Sequence, residues 1–188
     1  MPNLTLTPLA SLRYSTHHIP SHSLIPNTSP HSHPLLIYHS VYPPTTSPSA
    51  IEAHLPKNGV SPQWRYTMYS TTHYHSTTHE VLCVFKGRAK LLFGGESNPS
   101  KLETQVSAGD AIIVPAGVGH RLLEDYDSGF QMVGSYPKGC KWDMCYGNAG
   151  EEAKADAVKD VKWFEKDPLY GDDGPALWKH DEAGKSEL

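Results

Sequence analysis

Short apolar runs separated by turn residues dominate the middle of the chain. Strand-like runs lie at residues 64–69, 81–85, 89–93, 111–114, 120–123 and 130–134. Glycine or proline stands between most of them, as at Lys86-Gly87 and Pro115-Ala116-Gly117. Strands of this length and spacing, bounded by such turns, are typical of β-sandwiches and barrels. The pattern therefore predicts an all-β domain.

Upstream of these runs the pattern predicts one further strand and one short helix. The apolar run 35–38 suits a strand. A helix is expected over residues 47–55, because Ser47 can cap it and Pro48 suits its first turn. Asn58-Gly59 is expected to end this helical segment.

The two ends of the chain show weaker patterns. Residues 1–24 have no periodicity, which predicts a loosely ordered N-terminal arm. Residues 25–150 are interpreted as a single domain whose central motifs lie at 63–137. Residues 151–188 hold many of the acidic side chains and are expected to form a partly docked tail, helical in places and otherwise irregular.

Composition restricts the functional classes. A chain of 188 residues supports one domain with a core, and 16 prolines with 15 glycines favour turns over long helices. A formal charge of −4 argues against nucleic acid as a partner. No apolar run is long enough for a membrane span, and the N-terminus does not resemble a secretory signal. Three cysteines without a CxxC pair favour a reducing compartment, so we expect a cytoplasmic protein.

Three histidines and one glutamate are the strongest candidates for chemistry. His73 and His75 are two residues apart, so both can point to the same side of a strand. Glu80 has the opposite parity, which requires a bend or bulge within residues 76–78. His120 follows a glycine-framed turn in another strand pair. Imidazoles and a carboxylate suit a divalent transition-metal ion, with one or two coordination positions open to water or substrate.

Other residues near this set have less certain roles. His79 adjoins Glu80 and is expected to point away from the metal, outward or toward another subunit; the alternative is a second-sphere partner or proton relay. Strand parity places Arg65, Tyr66 and Met68 at the mouth of the barrel. Arg121 is expected to point outward, with a contact to a substrate carboxylate as the alternative.

Two segments resemble the paired motifs of the cupins. Residues 73–87 match the pattern HxH-x4-E-x6-G, and residues 109–120 match G-x5-P-x-G-x2-H. Thr67 and Glu124 depart from the usual glycine and asparagine at non-ligand positions. The resemblance implies a double-stranded β-helix, a jelly-roll barrel, and one divalent ion (Fe, Mn, Ni, Zn, Co or Cu). The ligands it implies are His73, His75, Glu80 and His120.

The flanking segments resemble a narrower branch, the small YjlB-like cupins of bacteria and fungi. The segments that carry this resemblance are 25–27, 34–38, 73–82, 134–137 and 142–143. This narrower resemblance implies no settled activity. The three histidines and one glutamate, with open coordination positions, instead favour a metal-dependent enzyme acting on a small organic molecule, with an oxygenase favoured and an isomerase or decarboxylase as alternatives. A non-catalytic protein for storage or sensing of a metal or small ligand is the competing hypothesis. By analogy, the barrel could pair into a homodimer.

Overall fold

Short strands account for most of the regular structure in the computed structural model, which describes residues 4–180. The α-helices are α1 (Pro48–His54) and α2 (Glu152–Ala157). Single turns of 3-10 helix lie at Leu9–Ser11, Leu55–Asn58, Val158–Asp160 and Pro175–Leu177. The strands are β1 (Arg13–His17), β2 (Leu35–His39), β3 (Val60–Tyr66), β4 (Glu80–Lys86), β5 (Arg88–Phe93), β6 (Leu102–Ser107), β7 (Ala111–Val114), β8 (His120–Asp125) and β9 (Gln131–Pro137). The all-β prediction is confirmed.

The strands form two antiparallel sheets. The larger sheet has the order β1-β2-β7-β4-β9-β3, and the smaller has the order β6-β5-β8. Strands that are neighbours in the larger sheet are mostly distant in sequence, since β4 pairs with both β7 and β9. Apolar side chains from both sheets share one core. This is the jelly-roll barrel that the sequence motifs implied.

The larger sheet separates two apolar cores. Leu82 and Val84 of β4 pack inside the barrel, whereas Val81 and Cys83 pack on the outer face of the same strand. This alternation follows from the two-residue period of a strand. Helix α1 and part of the C-terminal segment cover the outer core. The inner core surrounds the region where the candidate ligands lie.

The N-terminal segment differs from the sequence prediction. Residues 13–17, expected to be loosely ordered, form β1 and pair antiparallel with β2 at the edge of the larger sheet. The segment lacks an apolar alternation of its own, so the strand depends on the hydrogen bonds that β2 offers. Local pattern cannot reveal such a partner. Residues 1–3 of the expected arm lie outside the described residues.

Helix α1 begins with the capping serine and first-turn proline that the sequence predicted. The hydroxyl of Ser47 accepts a hydrogen bond from the backbone N–H of Ala50, and Pro48 occupies the first turn. The following 3-10 turn ends at Gly59, whose φ of +79° favours glycine. Among residues 4–180, no helix is long and apolar enough to cross a membrane.

The C-terminal segment packs against the barrel over much of its described length. Phe164, Leu169 and Ala176 are buried in the outer core. The buried carboxylate of Asp167 accepts hydrogen bonds from the hydroxyl of Tyr38 and the backbone N–H of Leu169. This segment therefore forms part of the wall that covers the larger sheet. The last part of the expected tail, residues 181–188, lies outside the described residues.

Candidate metal centre

Four buried side chains converge inside the barrel: His73, His75, Glu80 and His120. One imidazole nitrogen from each histidine lies within 4.8 Å of the others. Oε1 of Glu80 lies 3.5 Å from Nε2 of His75, and its Oε2 lies 3.4 Å from Nε2 of His120. Bonds from an ion such as Zn²⁺ to nitrogen are about 2.0–2.1 Å long, so donor atoms this close can share one ion.

Backbone pairing and strand parity bring these residues together. His73 and His120 form an antiparallel bridge, in which each backbone N–H donates to the carbonyl oxygen of the other. Glu80 begins β4 and has the same parity as Leu82, so its side chain points into the barrel. The bend between His75 and Glu80 is held by Asp143, whose carboxylate accepts hydrogen bonds from the backbone N–H and the hydroxyl of Ser76.

The turn before His120 is held by a residue from the N-terminal segment. The buried Asn27 donates its backbone N–H to Gly117, at 2.9 Å, and its Oδ1 accepts from Gly119 at 3.2 Å. Gly117 has a φ of +86°, and a Cβ there would lie 2.9 Å from the side chain of Val158. The turn therefore requires glycine, and it fixes where β8 begins.

Each of the three histidines has its Nδ1 atom against a backbone carbonyl oxygen. His73 Nδ1 lies 3.0 Å from the carbonyl of Thr71, and His120 Nδ1 lies 2.9 Å from that of Val118. His75 Nδ1 pairs with the carbonyl of Asp143. A carbonyl only accepts, so Nδ1 must carry the proton. The lone pair then resides on Nε2, which is the form that a metal ligand requires.

Glu80 is oriented by a short chain of hydrogen bonds. The hydroxyl of Tyr136 donates to Oε1 of Glu80 at 2.8 Å and accepts from the indole N–H of Trp64 at 3.0 Å. Burial acts to raise the pKa of Glu80, but His75, His120 and the Tyr136 hydroxyl outweigh it and lower the pKa to about 2. The carboxylate is therefore ionised at neutral pH.

The histidines differ in their tendency to take a proton. Burial, with neighbouring His73, lowers the pKa of His120 to about 3, and burial also lowers the pKa of His73. Burial acts in the same direction on His75, but the adjacent Glu80 carboxylate outweighs it and raises the pKa. Three imidazoles, one of which lies beside the Glu80 carboxylate, provide donors suited to a divalent cation.

Two atoms of the centre have no hydrogen-bond partner among the described residues. Nε2 of His75 and Oε2 of Glu80 are buried and unpaired. A buried polar atom without a partner is costly, and a metal ion is one of the few groups that would satisfy both atoms. The donor types, their spacing and these unpaired atoms fit a single metal ion.

A cavity of about 290 Å³ opens onto the four residues. Its wall is mostly apolar, with aromatic rings and methionines around the polar centre. Clefts with this mixture of an apolar wall and a few convergent polar groups are typical of small-molecule sites.

Comparison with known proteins decides the family. A sequence profile of the cupin domain matches residues 55–133. The chain is also 33% identical over 165 residues to the Bacillus subtilis (strain 168) protein named "Uncharacterized protein YjlB", covering 86% of this chain and 93% of that protein. The chain belongs to the cupin family.

Solved structures similar to this cupin are longer and more distant. A Bacillus subtilis oxalate decarboxylase variant is 17% identical over 60% of this chain and 22% of its own, with a TM-score of 0.35. Procruciferin, an 11S globulin from Brassica napus, is 15% identical over the same shares, with a TM-score of 0.33. The cupin thus spans about a fifth of the length of these proteins.

His79 lies on the outer face of the larger sheet, away from the centre. Its Nδ1 accepts a hydrogen bond from the backbone N–H of Ala116 at 2.8 Å. Its ring packs edge-on against His31 and Trp163 and also contacts Phe164. The residue is fully buried beneath the C-terminal segment. Its neighbours thus come from its own chain, and it lies on the opposite face of the sheet from the cavity.

The other candidate residues divide between the cavity and the surface. Arg65, Tyr66 and Met68 all line the cavity. Arg121 does not line it; its guanidinium donates to the carbonyl of Ser70 and pairs with Glu96 at 3.2 Å. The contact between Arg121 and a substrate carboxylate, considered from the sequence, has no support in this geometry.

Sequence reasoning missed three residues that support the centre. Asn27, Tyr136 and Asp143 lie in segments that the family resemblance singled out, but nothing local showed what their side chains contact. Their hydrogen bonds reach partners 56 to 92 residues away. A polar residue that is buried within an otherwise apolar environment is the signal that could have identified them, and burial is known only from the fold.

Proposed function

We propose that this cupin binds one divalent transition-metal ion through His73, His75, Glu80 and His120 and acts as a mononuclear metal enzyme on a small organic molecule. The observation that carries the proposal is the set of three Nδ1 contacts to backbone carbonyls, which leave the lone pair of each histidine on Nε2 within one cluster of imidazole nitrogens. Such contacts orient the imidazoles of known metal sites. The ion could be Fe, Mn, Ni, Zn, Co or Cu.

The residues of the chain have distinct tasks in this proposal. When bound, the ion would supply Lewis-acid or redox chemistry. Tyr136 holds the Glu80 carboxylate in place, and its own hydroxyl stays protonated because burial and the adjacent Glu80 raise its pKa. The four side chains are buried beside a mostly apolar cavity wall, and this low-dielectric environment strengthens electrostatic interactions at the centre.

An oxygenase-type reaction is favoured, with an isomerase or decarboxylase as alternatives. None of the described residues that line the cavity is a cysteine, serine or lysine, so the wall offers no side chain of these types as a nucleophile. The chemistry would then centre on the ion and on its ability to bind substrate. Fold alone does not decide among these reactions.

The second candidate function is non-catalytic storage or sensing of a metal or small ligand. Four protein donors can close the coordination of an ion with tetrahedral preference, and a closed site is typical of a structural or storage role. The cavity beside the donors favours the enzyme instead, because it gives a substrate direct access to the centre.

Water-proton relaxation of the Mn²⁺-loaded protein separates these two functions. An open coordination position that exchanges water should raise the longitudinal relaxation rate, and adding acetohydroxamate, a small oxygen chelator, should lower it again. A rate that equals that of the metal-free protein and does not respond to acetohydroxamate would favour the closed site, and with it storage or sensing.

The expected surroundings of the protein are also part of the proposal. Cys83, Cys140 and Cys145 are all free thiols, which is consistent with a reducing cytoplasmic compartment. We propose a small-molecule ligand as the partner, and a homodimer formed through the barrel. Sedimentation of the metal-loaded protein at several concentrations tests the homodimer directly.

A further inference from the structure

Five tyrosine and tryptophan rings line the cavity. Two of them, Tyr66 and Tyr69, lie 6.0 Å apart, and Tyr69 packs edge-on against His73. On the side of His75, the rings of Tyr136 and Trp142 lie 6.4 Å apart and nearly parallel. A molecule bound above the centre would therefore meet aromatic surface beside two different histidines.

Several of these rings are exposed although they are large and apolar. Tyr66 and Tyr69 are each 54% exposed, and Trp142 is 45% exposed. Exposed aromatic surface grouped around the opening of a cavity marks a binding site more often than an isolated surface residue does. Flexible apolar side chains line the same cavity and can adapt to a ligand of irregular outline. They are Met68, Met132 and Met144.

The cavity has no free cationic side chain among its described lining residues. Arg65 is the lining residue with a fixed positive charge, and its guanidinium is already held by both carboxylate oxygens of Glu52, at 2.6 Å each. It also donates to the hydroxyl of Ser49. A carboxylate or phosphate in the body of a ligand would meet a guanidinium whose charge Glu52 already balances.

Charge at the centre itself is limited as well. A divalent ion beside the single carboxylate of Glu80 leaves one net positive charge, since imidazoles that keep the Nδ1 proton against a backbone carbonyl coordinate through Nε2 as neutral donors. One anionic donor at the ion would balance this charge. A second negative charge would lie in an apolar cavity without a partner, which is strongly unfavourable.

From these features we infer the class of ligand: a small molecule with a flat apolar or aromatic body and at most one negative charge. Its oxygen donor, charged or polar, lies at the end that binds the metal. This inference rests on the proposed metal centre and names the substrate class of that site. Dicarboxylates and phosphorylated compounds are disfavoured, because the one cationic side chain among the described lining residues is already paired with Glu52.

A matched pair of chelators tests the inference by calorimetry. Acetohydroxamate and benzohydroxamate present the same donor atoms and differ in a methyl group against a phenyl ring. Metal-loaded protein should bind benzohydroxamate about tenfold more tightly, because each added ring–ring contact contributes about 0.5–1.5 kcal/mol. Oxalate, a small dicarboxylate, should bind more weakly than either. The metal-free protein is the control for binding through the ion.

Two tryptophan variants show which part of the cavity gives the preference for benzohydroxamate. Trp142→Ala should reduce the benzohydroxamate preference several-fold, whereas Trp178→Ala should leave it unchanged, because Trp178 is 38% exposed and lies outside the cavity. Equal affinity for the two hydroxamates, tighter binding of oxalate, or an equal effect of both tryptophan variants would overturn the ligand class while leaving the metal centre intact. Absence of bound metal, measured beforehand on the same sample, would instead overturn the proposed function.

Discussion

The hydroxyl oxygen of Tyr136 lies 2.8 Å from Oε1 of Glu80 and orients the carboxylate toward the three histidines. Tyr136 is carried by β9 and Glu80 by β4, two strands that are neighbours in the larger sheet. The hydrogen bond occupies one carboxylate oxygen and leaves Oε2 unpaired. The sheet therefore fixes the direction of the acidic donor before any ion binds.

Tyr136→Phe should weaken metal binding and leave the fold intact. Removing the hydroxyl frees Glu80 to rotate, and loss of such an orienting partner lowers metal affinity by about 10- to 100-fold. Competition with a chromophoric chelator measures this affinity. Tyr126→Phe is the matched control, because Tyr126 is exposed and outside the cavity. Unchanged affinity in Tyr136→Phe would show that Glu80 needs no such support.

Gly134→Ala should destabilise the barrel through Trp64. A Cβ at residue 134 would lie 2.0 Å from the indole ring of Trp64, so the ring must move and would lose its hydrogen bond to Tyr136. Overpacking of this kind costs about 1–3 kcal/mol of unfolding free energy, measured by urea titration. Gly129→Ala is the control, since its Cβ would make only ordinary contacts, with the end of Lys86 at 3.4 Å and the backbone oxygen of Asp127 at 3.9 Å. Equal stabilities of the two variants would contradict the assigned packing.

His79→Asn should lower stability and spare the metal. The asparagine Oδ1 can still accept from the backbone N–H of Ala116, but the contacts of the imidazole with Trp163 and Phe164 are lost. We expect a loss of about 1–3 kcal/mol in unfolding free energy. Elemental analysis of the folded variant should find the wild-type amount of metal. A loss of metal as large as in His75→Ala would show that His79 acts on the centre.

Acid should destabilise the protein partly through His33. Burial, with His31 and His180 nearby, lowers the pKa of His33 from 6.5 to about 4. Between these pH values the unfolded chain binds the proton more readily, so stability falls as pH decreases through this window. His33→Phe keeps the stacking on Trp163, whose ring lies 4.1 Å away, but cannot titrate.

Urea unfolding at pH 7 and pH 5 measures the effect of His33→Phe. The variant should lose less stability than the wild-type protein on acidification, because one of the protons taken up on unfolding is removed. The variant should still lose some stability on acidification, because burial also lowers the pKa of His31. An identical pH dependence in both proteins would contradict the contribution of His33.

Features encoded within one strand were predictable, and features that depend on pairing were less so. The run 111–114 was expected as a strand and coincides with β7. The run 64–69 was also expected as a strand, but the corresponding strand, β3, spans Val60–Tyr66. Its bounds differ because its pairing with β9 begins at Val60 and shifts register between Pro62 and Trp64. Pairing energy comes from the partner strand, which a local pattern does not contain.

The same division between local features and features that depend on pairing holds for the candidate metal centre. Parity correctly placed Glu80 inside and His79 on the opposite face, because alternation is a local property of a strand. The supports of the centre were not predicted. Asp143 and Tyr136 act through side-chain hydrogen bonds to residues more than 50 positions away, and a polar residue in a sequence does not indicate which partner the fold will bring near it.

The metal content of the protein tests the central claim most directly. Purified protein is stripped with a chelator, reloaded separately with each of the candidate divalent ions, desalted and measured by elemental analysis beside His75→Ala and Glu80→Ala. We expect about one equivalent of at least one ion in the wild-type protein, with a raised melting temperature, and a large loss in both variants. No retained metal and no thermal shift with any ion, or equal retention by the variants, would contradict the proposed centre.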